Sequence, residues 1–164
     1  MLNLKKWFCD NIKNLENGMY RLSYSILKNE EDAKDAVQEA IYNAYKNLET
    51  LKDKRKFKSW IYKIVANTSF EILRNKKNYI DIEQENIAAE KIDIDTNLTL
   101  WKAVQGLEQP YRTTITLFYY EDMSIKEISE ITGSKVDAIK KQLSRGRDKI
   151  KEEIDIWNFL KIEK

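Results

Sequence analysis

A single proline, Pro110, and four glycines are all the backbone punctuation in this chain of 164 residues. A sandwich or barrel needs Gly, Pro, Asn or Asp chemistry at every chain reversal. Scarcity of the first two starves an all-β design and leaves long uninterrupted runs for helices. The expected fold class is therefore all-α. A hydrophobic fraction of 42% beside 34% charged residues supports a core under a heavily charged surface.

The apolar residues carry the helical period. Phe8, Ile12, Leu15, Met19, Leu22 and Ile26 recur at alternating steps of four and three, one stripe of a first helix that Gly18 is expected to weaken or bend. Asn29 before Glu30, Glu31 and Asp32 forms an N-cap with acids at the positive end of the helix dipole. That second helix turns Ala33, Val37, Ala40, Ile41, Ala44 and Leu48 inward and Asp35, Gln38, Glu39 and Asn43 outward. A third helix, with Ser59 as its expected cap, has Ile61, Ile64, Val65, Thr68 and Ile72 on its inner face.

Net charge is only +2, but the signs are segregated. Lys52 to Lys58 reads KDKRKFK, five bases against one acid, and Arg74, Lys76 and Lys77 form a second basic spot. Between Asn78 and Asn97 stand Asp81, Glu83, Glu85, Glu90, Asp93 and Asp95 against Lys91 alone, with little helical period. The chain thus divides into a helical domain over 1–77, a flexible acidic linker over 78–97 and a second helical domain over 98–164. No internal repeat is visible.

Missing residue types narrow the chemistry. There is no His, and Cys9 is the only thiol, which excludes the usual Cys/His zinc site, a His general base and an internal disulfide. Cys9 is expected to be a small buried or half-buried residue in a reducing compartment. Charges and amides interrupt MLNLKKWFCDNIKNLEN, and no apolar run approaches the ~18 residues of a membrane span, so neither an export signal nor a membrane segment is expected.

The second domain holds the most specific local pattern. Ser124 with Glu127 three residues later is a capping box, Ile125, Ile128 and Ile131 mark a short helix, and Gly133 stops it. Ser134 reads as the cap of a following helix with Val136, Ile139, Leu143 and Ile150 on its apolar face. Helix, glycine turn and basic helix is the spacing of a helix-turn-helix, in which the position four before the glycine must be small; here it is Ser129. Lys135, Lys140, Lys141, Arg145 and Arg147 line the exposed face, long cations suited to phosphates and guanine edges. An isolated basic helix is more often a solvated surface, but caps, turn and partner helix together favour DNA. In the first domain Phe57, Trp60, Tyr62 and Tyr79 lie among or near the cations of Lys52 to Lys58; this pattern suits opened single strands, and equally a core aromatic beneath solvated lysines.

These residues resemble a known family over nearly the whole chain. DAKDAVQEAIYNAYKNL at Asp32 to Leu48, with FKSWIYKIVANTSFEILRNKK at Phe57 to Lys77, resembles region 2 of bacterial sigma factors of the extracytoplasmic-function group. LEQPYRTTITLFYYEDMSIKEISEITGSKVDAIKKQLSRGRDKI at Leu107 to Ile150 resembles their region 4. At 164 residues the chain is not expected to carry the additional domains of the larger housekeeping sigma factors.

The resemblance implies a partner for each surface. Asp35, Gln38 and Glu39 match the segment that docks on the β′ clamp helices of core RNA polymerase, whose β subunit is also an expected partner. Lys52, Lys54, Arg55, Lys56, Phe57 and Lys58 match the loop that captures an unstacked base of the minus-ten element. Asn67, Arg74, Lys76 and Lys77 face the upstream edge of that element. Lys135, Lys140, Lys141, Arg145 and Arg147 fall on the helix that enters the major groove at the minus-thirty-five element. Two departures stand out: Pro110 comes later than the proline that often follows the leucine matching Leu107, and Ala36 replaces a larger residue on what is read as the outward face of the second helix.

The expected protein is a non-catalytic transcription initiation factor with no cofactor, metal or small-molecule substrate. It binds promoter DNA and is held by an anti-sigma factor, expected to be membrane-bound, so that a cytoplasmic protein is sequestered at the inner face of the membrane. The alternative is a helix-turn-helix repressor or activator dimerising through its first domain or through the stripe Ile150, Ile154, Trp157 and Leu160. An enzyme has little support, because Glu30, Glu31, Asp32 and Asp35 are explained by helix-start electrostatics and protein contacts.

Overall fold

The computed structural model describes residues 2–79 and 96–162, and within these it is helical, with no strand. Helix α1 spans Leu2–Leu27 and α2 Glu30–Lys46; two short 3₁₀ turns at Leu48–Thr50 and Lys54–Lys56 lead into α3, Phe57–Tyr79. The second half comprises α4 Thr96–Gln105, α5 Tyr111–Ile115 continuing as a π-helical turn Thr116–Tyr120, α6 Ile125–Thr132 and α7 Val136–Ile162. Most of the expected acidic linker, and the side chains of Trp157 and Leu160, lie outside the described residues.

Helices α1, α2 and α3 pack on one another because each presents an apolar stripe. Met19, Leu22, Ile26, Ala33, Ala40, Ile61 and Val65 are all buried where the stripes meet. Burial of a Met, Leu or Ile side chain contributes about 1.5–3 kcal/mol, which sets the scale of this core. The Asn29 side chain accepts from the Asp32 N–H at 3.0 Å, the cap expected from sequence.

Helix α1 is continuous through Gly18, against the expected weakness or bend. Gly18 is buried, and a Cβ there would lie 1.9 Å from Tyr62 Oη and 2.3 Å from Glu121 Oε2. The missing side chain makes room for groups that arrive from elsewhere in the chain. Two further expectations are corrected. Ser59 does not cap α3; Asp53 caps the preceding 3₁₀ turn by accepting from the Arg55 N–H, and the Ser59 hydroxyl donates to the Lys56 carbonyl. Cys9 is exposed on the outer side of α1.

In the second half Ile115, Leu117, Ile128, Ile131, Ile139 and Leu143 form the buried centre. Helices α5 and α7 approach closely at Gly146, where a Cβ would meet Ile115 Cγ1 at 2.8 Å. The two halves also pack on each other, α1 against α5 and the π-helical turn, α3 against α6. One continuous set of buried residues runs through both.

Candidate nucleic-acid interface

Helices α6 and α7 form the turn that the glycine spacing predicts. Ser124 Oγ accepts from the Glu127 N–H at 3.1 Å, and the Glu127 carboxylate accepts from the Ser124 N–H at 3.3 Å, so both halves of the capping box are present. Gly133 ends α6 in the left-handed region, φ 78°, with its N–H donated to the Ser129 carbonyl. A side chain is strained in that backbone, so glycine belongs there.

Ser129 serves as more than a small residue. Its hydroxyl donates to the Ser134 carbonyl at 2.6 Å and ties the turn to α6. Ser134 is not the cap of α7, as its N–H is aimed at Thr132 Oγ1 and the helix starts at Val136, with the Lys135 carbonyl accepting from the Ile139 N–H. Helix α7 therefore begins one residue later than a cap at Ser134 would place it.

Ile139 and Leu143 anchor α7 inward, and Lys135, Lys140, Lys141, Arg145 and Arg147 are all exposed. Arg147 Nη1 donates to the Tyr119 hydroxyl at 3.0 Å, which steadies its guanidinium against the second half. Lys140, Lys141 and Arg145 stand in solvent along the helix, and Lys135 stands in solvent just before its first residue. Such an arrangement presents long cations to a groove and its phosphates.

A second basic surface lies at the start of α3. Lys52, Lys54, Arg55 and Lys56 are exposed, whereas Phe57 is 3% exposed and packs edge-on against Trp7 and Phe8. Phe57 thus anchors the loop from below, and its ring is no surface for base stacking in this conformation. Lys54 Nζ lies 4.9 Å from the centre of the Trp7 ring, a cation over an aromatic face at the same edge. Asp53, the one acid in the stretch, is bonded to Arg55, and that hydrogen bond holds its carboxyl below the ordinary carboxylate range.

Along α3, Asn67, Arg74 and Lys77 are exposed, while Lys76 is half-buried in an ion pair with Asp32 of α2. The outward face of α2 carries Asp35, Gln38 and Glu39, all exposed. Ala36, read from sequence as outward, is fully buried against the core, so its small size serves the α1–α2–α3 packing.

Glu121 was not singled out by sequence reading, yet it sits at the centre of the polar contacts between the halves. It is 3% exposed, and its carboxylate accepts from Arg21 Nε and from the Tyr62 hydroxyl, each at 2.6 Å. Burial, and then the bond to Glu121, push the Tyr62 hydroxyl well above its ordinary value and keep it a donor. The available signal was Gly18, whose place in the middle of an apolar stripe marks a close approach.

Comparison with known proteins agrees with this layout. Residues 12–79 match the family model for Sigma-70 region 2, and residues 97–150 match the one for Sigma-70, region 4. Over 129 residues, 77% of this chain and 78% of the relative, the chain is 37% identical to RNA polymerase sigma factor SigV of Bacillus subtilis. Over 165 residues, 90% of this chain and 88% of the relative, it is 29% identical to the ECF RNA polymerase sigma factor SigW of the same organism. The fold is similar to that of the sigma factor RpoE, solved in complex with the anti-sigma factor NepR from Bartonella quintana, with a TM-score of 0.76, 20% identity and coverage of 92% of this chain and 98% of that one. With both regions present in order, the chain belongs to the sigma-70 family, in its extracytoplasmic-function group.

Proposed function

We propose that this chain binds core RNA polymerase through the exposed Asp35, Gln38 and Glu39 face of α2 and directs the holoenzyme to promoters. Helix α7 supplies contacts to the minus-thirty-five element through Lys140, Lys141, Arg145 and Arg147, together with Lys135 just before its start. The loop Lys52, Lys54, Arg55, Lys56 and Lys58 holds the opened minus-ten strand, and Asn67, Arg74 and Lys77 on α3 face the upstream edge of that element; Phe57 and the paired Lys76 support that surface. The division of labour follows the domains 1–77, 78–97 and 98–164. The protein performs no catalysis itself.

The observation that carries this reading is the turn between α6 and α7, with both halves of the capping box of α6 and a left-handed glycine, followed by Lys135 and a helix whose four named cations all face solvent, as Lys135 does. Fold relatives include sigma factors solved with NepR and, for CnrH, with the cytosolic domain of CnrY, at a TM-score of 0.66 and 18% identity. On that ground an anti-sigma factor is the regulator of this chain, and a membrane-bound one sequesters it at the inner face of the membrane. No helix among the described residues is long and apolar enough to cross a membrane.

The test is equilibrium binding to purified core polymerase. Wild-type protein is expected to bind, and Asp35→Lys with Glu39→Lys to bind at least ~10-fold more weakly, the loss that about 1.4 kcal/mol of contact free energy gives. Both residues are exposed, so helicity is unchanged. Equal binding by the double variant contradicts the assigned docking face.

A further inference from the structure

Helix α1 begins at Leu2, whereas the match to Sigma-70 region 2 begins at residue 12. The first turns of α1 thus lie outside that match. Leu2 to Lys6 are all exposed, Lys5 and Lys6 among them, and Phe8 is buried in the core. Trp7 stands at the boundary between the two, half-buried, beside the start of α3.

Two rings lie under cations of the loop that leads into α3. Lys54 Nζ is 4.9 Å from the centre of the Trp7 ring, and Lys58 Nζ is 5.7 Å from the centre of the Tyr62 ring. Tyr62 is fully buried and bonded to Glu121, so no flat ligand reaches it. Phe57 is buried as well; its ring centre is 5.1 Å from that of Trp7 and the planes are inclined at 68°, so it supports the indole from the core side. Lys54, which covers the indole, is an exposed, flexible side chain at the first position of its 3₁₀ turn.

A base lifted out of a duplex loses its neighbours and is held only where another surface replaces them. An indole does so for any base, since every base has a π-face, and cations beside it pair with the flanking phosphates. The Lys54 ammonium occupies the layer above the ring in which a base would stack, at about 3.4 Å as in a duplex. An exposed cation over a ring is weakly held. A base can therefore take the ring while the ammonium, on its long stem, moves to an adjacent phosphate. Lys52, Arg55 and Lys56 are exposed along the same loop and add to that charge.

We propose that Trp7 is a stacking platform for one unpaired base of the opened minus-ten strand, with Lys54 as its displaceable cover. The inference rests on the sigma-factor reading and deepens it: the loop supplies charge, and α1, from outside the region 2 match, supplies the flat surface that the buried Phe57 cannot. Stacking of this kind secures the open strand without selecting its sequence.

The test is promoter-specific initiation by holoenzyme assembled from purified core polymerase. Trp7→Leu keeps an apolar side chain and removes the π-face; it is expected to initiate at least about fivefold less well than wild type, while Trp7→Phe stays within about twofold. Templates with a single abasic site at successive positions of the opened strand then separate stacking from loop support. The ratio of wild type to Trp7→Leu is expected to fall to about one at a single position and to persist at the others, the signature of a pairwise contact. Equal initiation by Trp7→Leu on the intact template overturns the proposal. A ratio that is the same on every template also overturns it, and makes the ring a support for the loop or, where core binding is weakened too, a polymerase contact. Should Trp7→Leu fail to fold, wild-type holoenzyme decides: iodouracil placed along the opened strand is expected to photo-crosslink to Trp7, and crosslinks confined to other residues overturn the assignment. A wild-type chain that never initiates removes the sigma-factor reading itself.

Discussion

Three glycines and a tyrosine set the terms at the scale of single residues. Gly133 sits at φ 78°, where a side chain costs roughly 1–2 kcal/mol. Gly133→Val is therefore expected to lower Tm by about 2–8 °C in a calorimetric scan. Gly146→Ala is expected to destabilise as well, since the added carbon meets Ile115 at 2.8 Å in a packed seam between α5 and α7. Tyr62 gives a pH signature. Its hydroxyl is held above its unfolded value by burial and by Glu121, so the stabilisation is complete below the unfolded pKa of about 10 and is lost as pH rises past it. Urea midpoints are expected to fall above that pH in wild type, and Tyr62→Phe is expected to remove that part of the slope. None of this was readable from Gly18 alone: a glycine in a helical stripe signals a gap, but the group that fills it comes from a residue about a hundred positions later in the chain.

Whole elements were far more legible than single positions. The stripe from Phe8 to Ile26 and the Asn29 cap located α1 and α2, because a helix that buries one face must repeat that face every turn. Local pattern failed where a bond to another segment decided the outcome. Ser134 looks like a cap, but Ser129 and Thr132 take its backbone groups. Phe57 reads equally as a stacking platform or as a core aromatic among lysines, and its contacts with Trp7 and Phe8 of α1 decide for the core. The cations of α7 stand on firmer ground, since Ile139 and Leu143 point inward and fix which face is outward. If Lys140 and Lys141 meet phosphates, Lys140→Ala with Lys141→Ala is expected to reduce the slope of log K against log salt by about 1.8, from ~0.9 per lost contact, for holoenzyme bound to promoter DNA. An unchanged slope places those lysines off the DNA.

At the scale of the molecule, the two halves have separate surfaces and a shared seam. The acidic α2 face and the basic α7 face are both exposed, and α6 packs against α3. Sequence motifs revealed both halves and their order. They did not reveal the seam, because Arg21, Lys58, Tyr62 and Glu121 belong to separate stretches whose pairing depends on the tertiary fold. The central claim is that this chain makes core polymerase promoter-specific, and the direct measurement is run-off transcription with purified core enzyme on a cognate promoter, with and without the protein. Transcripts that start at one site only when the chain is added, and that disappear with Asp35→Lys and Glu39→Lys, are the predicted result; a core enzyme that initiates no differently in its presence contradicts the claim.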